Sequence, residues 1–161
     1  MHPLRRKDKA MEDPAELHRI LGATKYVTLA MCREGEPYLV TISHGYDAVR
    51  NCLWFHCAPE GKKMEFLRAN PVVWGQAMVD GGYRTGECDQ YFTTVQFRGR
   101  VHFPEDPDSK RHALEVLIRQ LETDPAVVIE GMVTEKAMAG VTVGRIDLDF
   151  LSGKRAGPEP Q

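Results

Sequence analysis

Long hydrophobic runs are absent from this sequence. None approaches the ~20 consecutive apolar residues that a membrane-spanning helix needs, so no membrane span is predicted. The charged N-terminus has no apolar segment of the kind found in secretory signals. The net charge is only −2, so the composition does not indicate nucleic-acid binding. The length predicts a single domain, 1–161, with residues 1–12 and 156–161 loosely ordered.

Cysteine is scarce, and the four cysteines do not have the spacing of a zinc site. They are Cys32, Cys52, Cys57 and Cys88. The first three lie in apolar, strand-like segments, where a reduced thiol packs as a small apolar side chain. We therefore expect these three to be core thiols of a cytoplasmic protein, with neither a disulfide nor a metal site.

Common nucleotide-binding fingerprints are also missing. A Walker-type phosphate loop needs a glycine five residues before Gly61-Lys62, and that position is His56. The glycines of Asp80–Asp89 have no strand-then-helix context, so this segment is predicted to be a flexible loop.

The most informative stretch begins with a strand, Cys52–Cys57, and continues through a turn that ends at Gly61. A short helix follows and is stopped by Asn70-Pro71. The first N–H groups of a helix have no internal partner, and two lysines there, Lys62 and Lys63, add positive charge. This arrangement suits a bound phosphate, although two solvated lysines on a surface turn would give the same pattern.

The alternation of apolar and polar residues predicts a sheet protein. The other strand segments are Tyr26–Met31, Tyr38–Ser43, Val72–Val79, a long strand from residue 94 to 103, and Val141–Phe150. Helices begin at Asp13-Pro14 and Asp106-Pro107, while Thr123–Met138 fits either helix or strand. Together these elements predict a mainly β fold with α-helices, a six-stranded antiparallel β-barrel with flanking helices. Side chains fill so small a barrel, so a nucleotide must bind outside it, for example in a dimer groove.

The sequence also predicts the structural settings of two single residues. Gly99, in the middle of the long strand, is expected to mark a bulge or bend. His44 closes the Tyr38–Ser43 strand and would be either a ligand-facing residue or part of a solvated strand end.

Several stretches together resemble a known family. They are Arg5-Arg6-Lys7-Asp8, Tyr38–Ser43, Phe55–Lys63, Tyr91–Arg100, Glu105-Asp106-Pro107 and Ser152-Gly153-Lys154-Arg155. In this order they resemble the FMN-binding split β-barrel of the pyridoxamine 5′-phosphate oxidase-like superfamily. Within it the chain is most similar to the nitroimidazole-reductase-like flavin-nucleotide-binding proteins, and the likeness covers nearly the whole chain.

The resemblance implies a homodimer with FMN at the subunit interface. Carried over by position, the cofactor-binding residues would be Val40, Thr41, Ile42, Ser43, His56, Cys57, Lys62, Lys63 and Thr94. Lys62 and Lys63 would hold the phosphate, and Thr94 would give a further phosphate or ribitol contact. Phe150 aligns with an aromatic residue that lies near the flavin in some members. No catalytic residue is assigned by the resemblance.

The chain departs from the oxidase itself, because it lacks the arginine-histidine motif near the C-terminus that the vitamin B6 substrate requires. The expected function is therefore an FMN-dependent oxidoreductase of small organic substrates, including nitroaromatic compounds. Two alternatives stay open: an FMN carrier or redox sensor without turnover, and a haem-binding protein with His44, His56 or His102 as the axial ligand.

Overall fold

The computed structural model describes residues 5–158 of the chain. Its elements are β1 (Ala10–Met11), α1 (Pro14–Ala23), β2 (Tyr26–Arg33), β3 (Glu36–Ser43), β4 (Gly45–Asp47), β5 (Cys52–Cys57), α2 (Lys62–Ala69), β6 (Val72–Arg84), β7 (Asp89–His102), α3 (Pro107–Leu121), α4 (Pro125–Met132), α5 (Glu135–Gly140) and β8 (Thr142–Ala156). A turn of 3-10 helix, Lys7–Lys9, precedes β1. Within the described residues, every helix is too short or too polar to cross a membrane.

The strands form one antiparallel sheet. Their order along the sheet is β3-β2-β6-β7-β8-β5-β4, and β1 pairs with β8. The predicted mainly β architecture with flanking helices is confirmed. The predicted number of strands is wrong, because residues 5–158 contain eight strands instead of six. The sheet also does not close into a complete barrel, since β3 and β4 form the two ends of its path.

The two additional strands are short. β1 has two residues and β4 has three, so neither is long enough to show an alternating pattern in the sequence. In β1, Met11 pairs with Gly153, which holds this part of the segment 1–12 in the sheet. The expectation of a loosely ordered segment is therefore wrong for Met11, and residues 1–4 lie outside the described residues.

The other terminus shows a similar difference. β8 continues beyond the predicted Phe150 as far as Ala156, which pairs with Phe92 of β7. Ala156, the first residue of the segment expected to be loosely ordered, therefore belongs to the sheet. Residues 159–161 of that segment lie outside the described residues.

The glycine-rich segment Asp80–Asp89 is mostly sheet, so its prediction as a flexible loop is wrong. β6 continues to Arg84, and a short turn at residues 85–88 leads into β7. The register between these strands shifts between Asp80 and Gly82, where Gly82 has a φ of +89°. Gly82 adopts the left-handed conformation easily, so the chain accommodates a β-bulge here without ending the strand.

The ambiguous segment Thr123–Met138 is helical. It contains α4, which has Pro125 at its first position, and most of α5. Thr134 caps α5 by accepting a hydrogen bond from the backbone N–H of Ala137 at 3.3 Å. Proline at the first helical position and a threonine cap favour helix starts, which explains why two short helices form instead of a strand.

Aromatic rings fill the interior of the sheet. Phe55 lies directly opposite Gly144, and Phe97 lies directly opposite Gly75. A Cβ atom at Gly144 or Gly75 would come within 2.2 or 2.1 Å of the facing ring, so each glycine makes room for one phenylalanine. The predicted bulge at Gly99 is confirmed by a shift of register at this residue. Among the described residues, the rings of Phe55 and Phe97 are both fully buried in the core.

His44 joins the end of α1 to α3. Its side chain is fully buried, and its Nε2–H donates to the carbonyl of Leu21 at 3.0 Å. The amide of Gln120 donates to the carbonyls of Leu21 and Thr24 at 3.1 and 2.6 Å. The Nδ1 atom of His44 has no hydrogen-bond partner among residues 5–158. Both predicted settings for His44, ligand-facing or solvated, are therefore wrong.

Burial of His44 predicts a loss of stability in mild acid. Burial lowers the pKa of His44, while the hydrogen bond to the Leu21 carbonyl opposes the shift. The unfolded chain, with a histidine pKa of about 6.5, therefore takes up the proton at a higher pH than the folded chain does. The contribution of His44 to the free energy of unfolding is complete above that pH and falls as the pH drops below it. We expect the free energy of unfolding in urea to fall from pH 7.5 to 5.5 by up to about 1.4 kcal/mol per pH unit.

The variant His44→Gln removes the titrating group, and His56→Gln at an exposed position is the matched control. We expect His56→Gln to show the same pH dependence as the wild type. We expect the free energy of unfolding of His44→Gln to fall less between pH 7.5 and 5.5. Identical pH profiles for wild type and His44→Gln would contradict the assignment.

Candidate functional site

The start of α2 is the most cationic part of the predicted site. Gly61 precedes the helix with a φ of +120°, a conformation that favours glycine, and no side chain caps the first turn. The backbone N–H groups at this end therefore have no side-chain partner within the described chain. Lys62 is exposed and Lys63 is half-buried at the same point.

The two lysines contact two strands that are distant from each other in the order of the sheet. The Lys62 ammonium group lies 4.7 Å from the ring centre of Tyr38 in β3, and that of Lys63 lies 5.4 Å from the ring centre of Phe55 in β5. Tyr38 also packs on Phe66 of α2, with ring centres 5.2 Å apart. The start of α2 therefore lies between two strands that are far apart along the sheet path.

The positive charge at this position is not neutralised. Within residues 5–158, neither lysine forms an ion pair with a carboxylate. Arg68, one helical turn further on, donates to the carbonyl of Pro59 at 2.9 Å and keeps its charge near the same turn. The one acidic residue of the first turn, Glu65, is paired with Arg33 at 3.6 Å. The arrangement can therefore bind an anion.

The predicted β3 residues do not form one wall through their side chains. Val40 and Ile42 pack on the core, whereas Thr41 is exposed and its hydroxyl lies 2.9 Å from that of Thr28. This alternation is inherent in a strand. β3 is an edge strand, however, and the backbone groups on its open side have no strand partner. Four consecutive residues can share one ligand here only through the backbone.

His56 and Cys57 also point to opposite sides of their strand. His56 is exposed, whereas Cys57 is half-buried with its Sγ atom 3.6 Å from Sδ of Met64. Burial raises the pKa of the Cys57 thiol, and the charges of Lys63 and Arg68 oppose that shift. We call Lys62 and Lys63 the lysine cluster. Of the two predicted residues of β5, Cys57 lies near this cluster.

The remaining thiols are placed differently from one another. All four cysteines are unpaired, and Cys52 is buried as predicted, where burial raises its pKa to about 12. Cys32 is exposed, so its prediction as a core thiol is wrong. Cys32 occupies an outward-facing position of β2. The sequence around it contains few polar residues, so it does not show which side chains of the strand face outward.

Thr94 lies apart from the lysine cluster. It faces outward from β7, pairs in register with Met78 and Lys154, and donates its hydroxyl to the Lys154 carbonyl at 3.5 Å. Its neighbours are residues of β6 and β8, so the contacts within one chain do not connect Thr94 with Lys62 or Lys63.

Thr94 belongs to an exposed surface that we call the outer sheet face. Three neighbouring cross-strand rows define it: Leu39, Ala30, Trp74, Arg98 and Phe150 in the first, Thr41, Thr28, Gln76, Gln96 and Ser152 in the second, and Met78, Thr94 and Lys154 in the third. Trp74 is 40% exposed and Leu39 is 64% exposed. The sequence reasoning missed both, although a tryptophan at an outward position of β6 is a signal of an interface.

The histidines considered for haem are in three different settings. His44 is buried in the interior, whereas His56 is exposed on β5. His102 is exposed at the end of β7, with Nε2 at 3.2 Å from Asp147. No group of three or more histidine, cysteine or acidic side chains within the described chain is arranged to hold a metal ion.

The family model of pyridoxamine 5′-phosphate oxidase matches residues 13–155, so the chain belongs to this family. No curated protein is significantly similar to it in sequence.

Solved structures agree with the family in fold. A protein from Bacteroides thetaiotaomicron, named for a proposed role in 5-nitroimidazole antibiotic resistance, is 26% identical with a TM-score of 0.76, over 90% of this chain and 85% of that one. An FAD-binding protein from Mesorhizobium loti is 25% identical with a TM-score of 0.67, over 91% and 96%. An FAD- and haem-binding protein from Mycobacterium smegmatis is 19% identical with a TM-score of 0.78, over 95% and 76%, and shares the fold.

Proposed function

We propose that this protein binds FMN and is an FMN-dependent oxidoreductase of small organic substrates, including nitroaromatic compounds. The observation that carries the proposal is the pair of lysines without carboxylate partners at the uncapped start of α2. The family of the chain and its likeness to an FAD-binding protein and to a protein named for nitroimidazole resistance support the flavin and the substrate class.

The phosphate of FMN fits the start of α2 on electrostatic grounds. Lys62 and Lys63 supply two ammonium groups, and the unpaired N–H groups of the first helical turn supply donors directed at the same point. FMN ends in a single phosphate, whereas riboflavin has none, so the lysines distinguish the two flavins. When bound, the flavin would supply the electron transfer, and the chain would bind and orient it.

We further propose that the site is completed by a second copy of the chain. The interior is filled, so the flavin must lie on the surface. Thr94 and Phe150 lie on the outer sheet face, away from the lysine cluster, and a two-fold dimer that packs through this face would supply them from the other subunit. The exposed Trp74, Leu39 and Met78 give this face the apolar, aromatic character of a subunit interface.

Removal of the Lys63 charge should weaken FMN binding selectively. A charge-assisted hydrogen bond contributes about 1.5–3 kcal/mol, so Lys63→Ala should raise the Kd for FMN roughly 10- to 100-fold and change the Kd for riboflavin little. Lys62→Ala should act in the same direction. Equilibrium titration of each variant with both flavins measures the effect.

The contact of Lys63 with Phe55 requires a control, since alanine also removes packing. Lys63→Met keeps an apolar side chain over the ring and should behave like Lys63→Ala towards FMN. Lys136→Ala, in the first turn of α5, is the matched control and should leave both affinities unchanged. Equal losses for FMN and riboflavin would refute a phosphate contact.

The proposed dimer should depend on Trp74. Replacement by aspartate removes the exposed indole and puts a charge in its place in the proposed contact, so Trp74→Asp should give a monomer in sedimentation velocity and weaken FMN binding. Val49→Asp, at an apolar residue that is 93% exposed, is the matched control and should stay dimeric. A wild type that sediments as a monomer with FMN bound would contradict the proposed interface.

The oxidoreductase activity separates an enzyme from a carrier. We expect NADH or NADPH to bleach the visible absorbance of the bound flavin under anaerobic conditions, and a nitroaromatic acceptor to restore it over many turnovers. A protein whose bound FMN is neither reduced by these donors nor reoxidised by the acceptor would be a carrier or sensor, and the oxidoreductase proposal would be wrong.

A further inference from the structure

A second group of polar side chains lies on the part of the sheet near α3. Trp54 of β5, Arg145 of β8 and His102 of β7 are direct neighbours in register, so they form one cross-strand row. Asp147 lies two residues beyond Arg145 on β8 and therefore faces the same side. Strand register thus places an indole, a guanidinium, an imidazole and a carboxylate side by side.

These side chains line a pocket of about 400 Å³. The segment between β7 and α3 borders it with Phe103 and Pro104, and the first turn of α3 adds Ser109. The volume lies in the range of about 300–1,000 Å³ that is usual for small-molecule sites. The pocket combines apolar walls with a few polar groups, which is the usual composition of such sites.

Arg145 is held in place with most of its donors unused. Its Nε–H donates to Oδ1 of Asp147 at 2.6 Å, and its guanidinium lies 6.0 Å from the ring centre of Trp54. Within residues 5–158, no protein hydrogen bond involves the two terminal nitrogens of Arg145. A guanidinium presents those nitrogens as a planar fork that matches a carboxylate.

Trp54 is fixed from behind by a second polar cluster. Its indole N–H points to Oδ2 of Asp47 at 3.5 Å, and His112 of α3 packs edge-on against its ring. Asp47 is buried and also accepts hydrogen bonds from His112 at 2.7 Å and Arg50 at 3.0 Å. The indole is 2% exposed and borders the pocket with only a small part of its surface, so its orientation is fixed before any ligand enters.

The charges of the pocket favour a monoanion. Asp147 neutralises much of the charge of Arg145 and also lies 3.2 Å from His102. A doubly charged phosphate would meet this carboxylate at close range, whereas a single carboxylate can use the fork of Arg145 and place an apolar body against Phe103 and the small exposed part of Trp54. We propose that this pocket binds a small monocarboxylic acid with an apolar body.

The proposed carboxylate site is separate from the lysine cluster. Trp54 and Phe55 are consecutive residues of β5 and point to opposite faces of the sheet. Lys63 lies over Phe55, on the other face from the pocket. The inference therefore does not rest on flavin binding, and it can be tested on the full chain with or without flavin.

Benzoate is the probe, and fluorine NMR of protein labelled with fluorotryptophan is the measurement. The chain has two tryptophans, and Trp74→Phe assigns their two resonances. We expect benzoate to shift the Trp54 resonance saturably, with a Kd below about 10 mM as expected for a ligand of this size, and to leave the Trp74 resonance in place. Benzamide, which is neutral and of the same shape, should shift it much less.

Two variants test the role of Arg145. Arg145→Gln removes the charged fork and should raise the Kd for benzoate roughly 10- to 100-fold. Arg145→Lys keeps the ion pair with Asp147 but lacks the fork, so it should fold normally and also bind more weakly. Arg119→Gln, at an arginine of α3 that is paired with Glu115, is the matched control and should bind like the wild type.

Three results would overturn the proposal. They are a Trp54 resonance that benzoate does not move, equal effects of benzoate and benzamide, and an unchanged Kd in both Arg145 variants. None of these measurements involves FMN, so their failure would leave the proposed flavoprotein function untouched.

Discussion

The packing of aromatic rings into the interior of the sheet is the constraint on which the rest of this structure depends. Phe55 and Phe97 each occupy the space that a facing glycine leaves open, and a side chain at either glycine would collide with a ring. An interior filled in this way stabilises the sheet by removing large apolar surfaces from water. It also moves every ligand to the outside, where strand ends, an edge strand and helix starts must supply the binding groups.

The position of α2 follows from the same constraint. Phe55 lies near the end of β5, and the Lys63 ammonium group lies 5.4 Å from the centre of its ring. Gly61 lets the chain reverse there, because its φ of +120° is rare in other residues. The two lysines are therefore held beside β3 and β5 by contacts with aromatic rings, although cations are unfavourable at a helix start. A bound phosphate would offset that cost.

The sequence predicted the parts of this fold that depend on local signals. The strand Cys52–Cys57, the helix start at Lys62 and the bulge at Gly99 each have a signature within a few residues, and the structure has all three. It could not predict the burial of His44, because the carbonyl that accepts its hydrogen bond, that of Leu21, is 23 residues away in the chain. Short strands such as β4 have no period to detect.

Among the predicted site residues, too, those that are close in the sequence lie together, and a residue from a distant strand does not. Lys62, Lys63 and Cys57 lie together because one turn connects them, whereas Thr94 lies on a different surface. Alternation along β3 separates Thr41 from its two neighbours, a consequence of strand geometry that a list of consecutive positions conceals. The outward tryptophan Trp74 is a local signal of an interface, but the sequence does not show which strands lie beside it in the sheet.

The outer surface of the sheet has two halves that differ in how much of them is covered. Near β5 and β4 it is covered by α3, which packs on the strands and leaves a bounded pocket with Trp54 and Arg145 in its wall. Near β2 and β6, Trp74 and Leu39 stay exposed. In the first half α3 covers the apolar residues, whereas the exposed apolar residues of the second half are those that we propose a second copy of the chain covers. The pairing of β7 with β8 crosses both halves and therefore links the proposed carboxylate pocket on one side to the proposed subunit interface on the other.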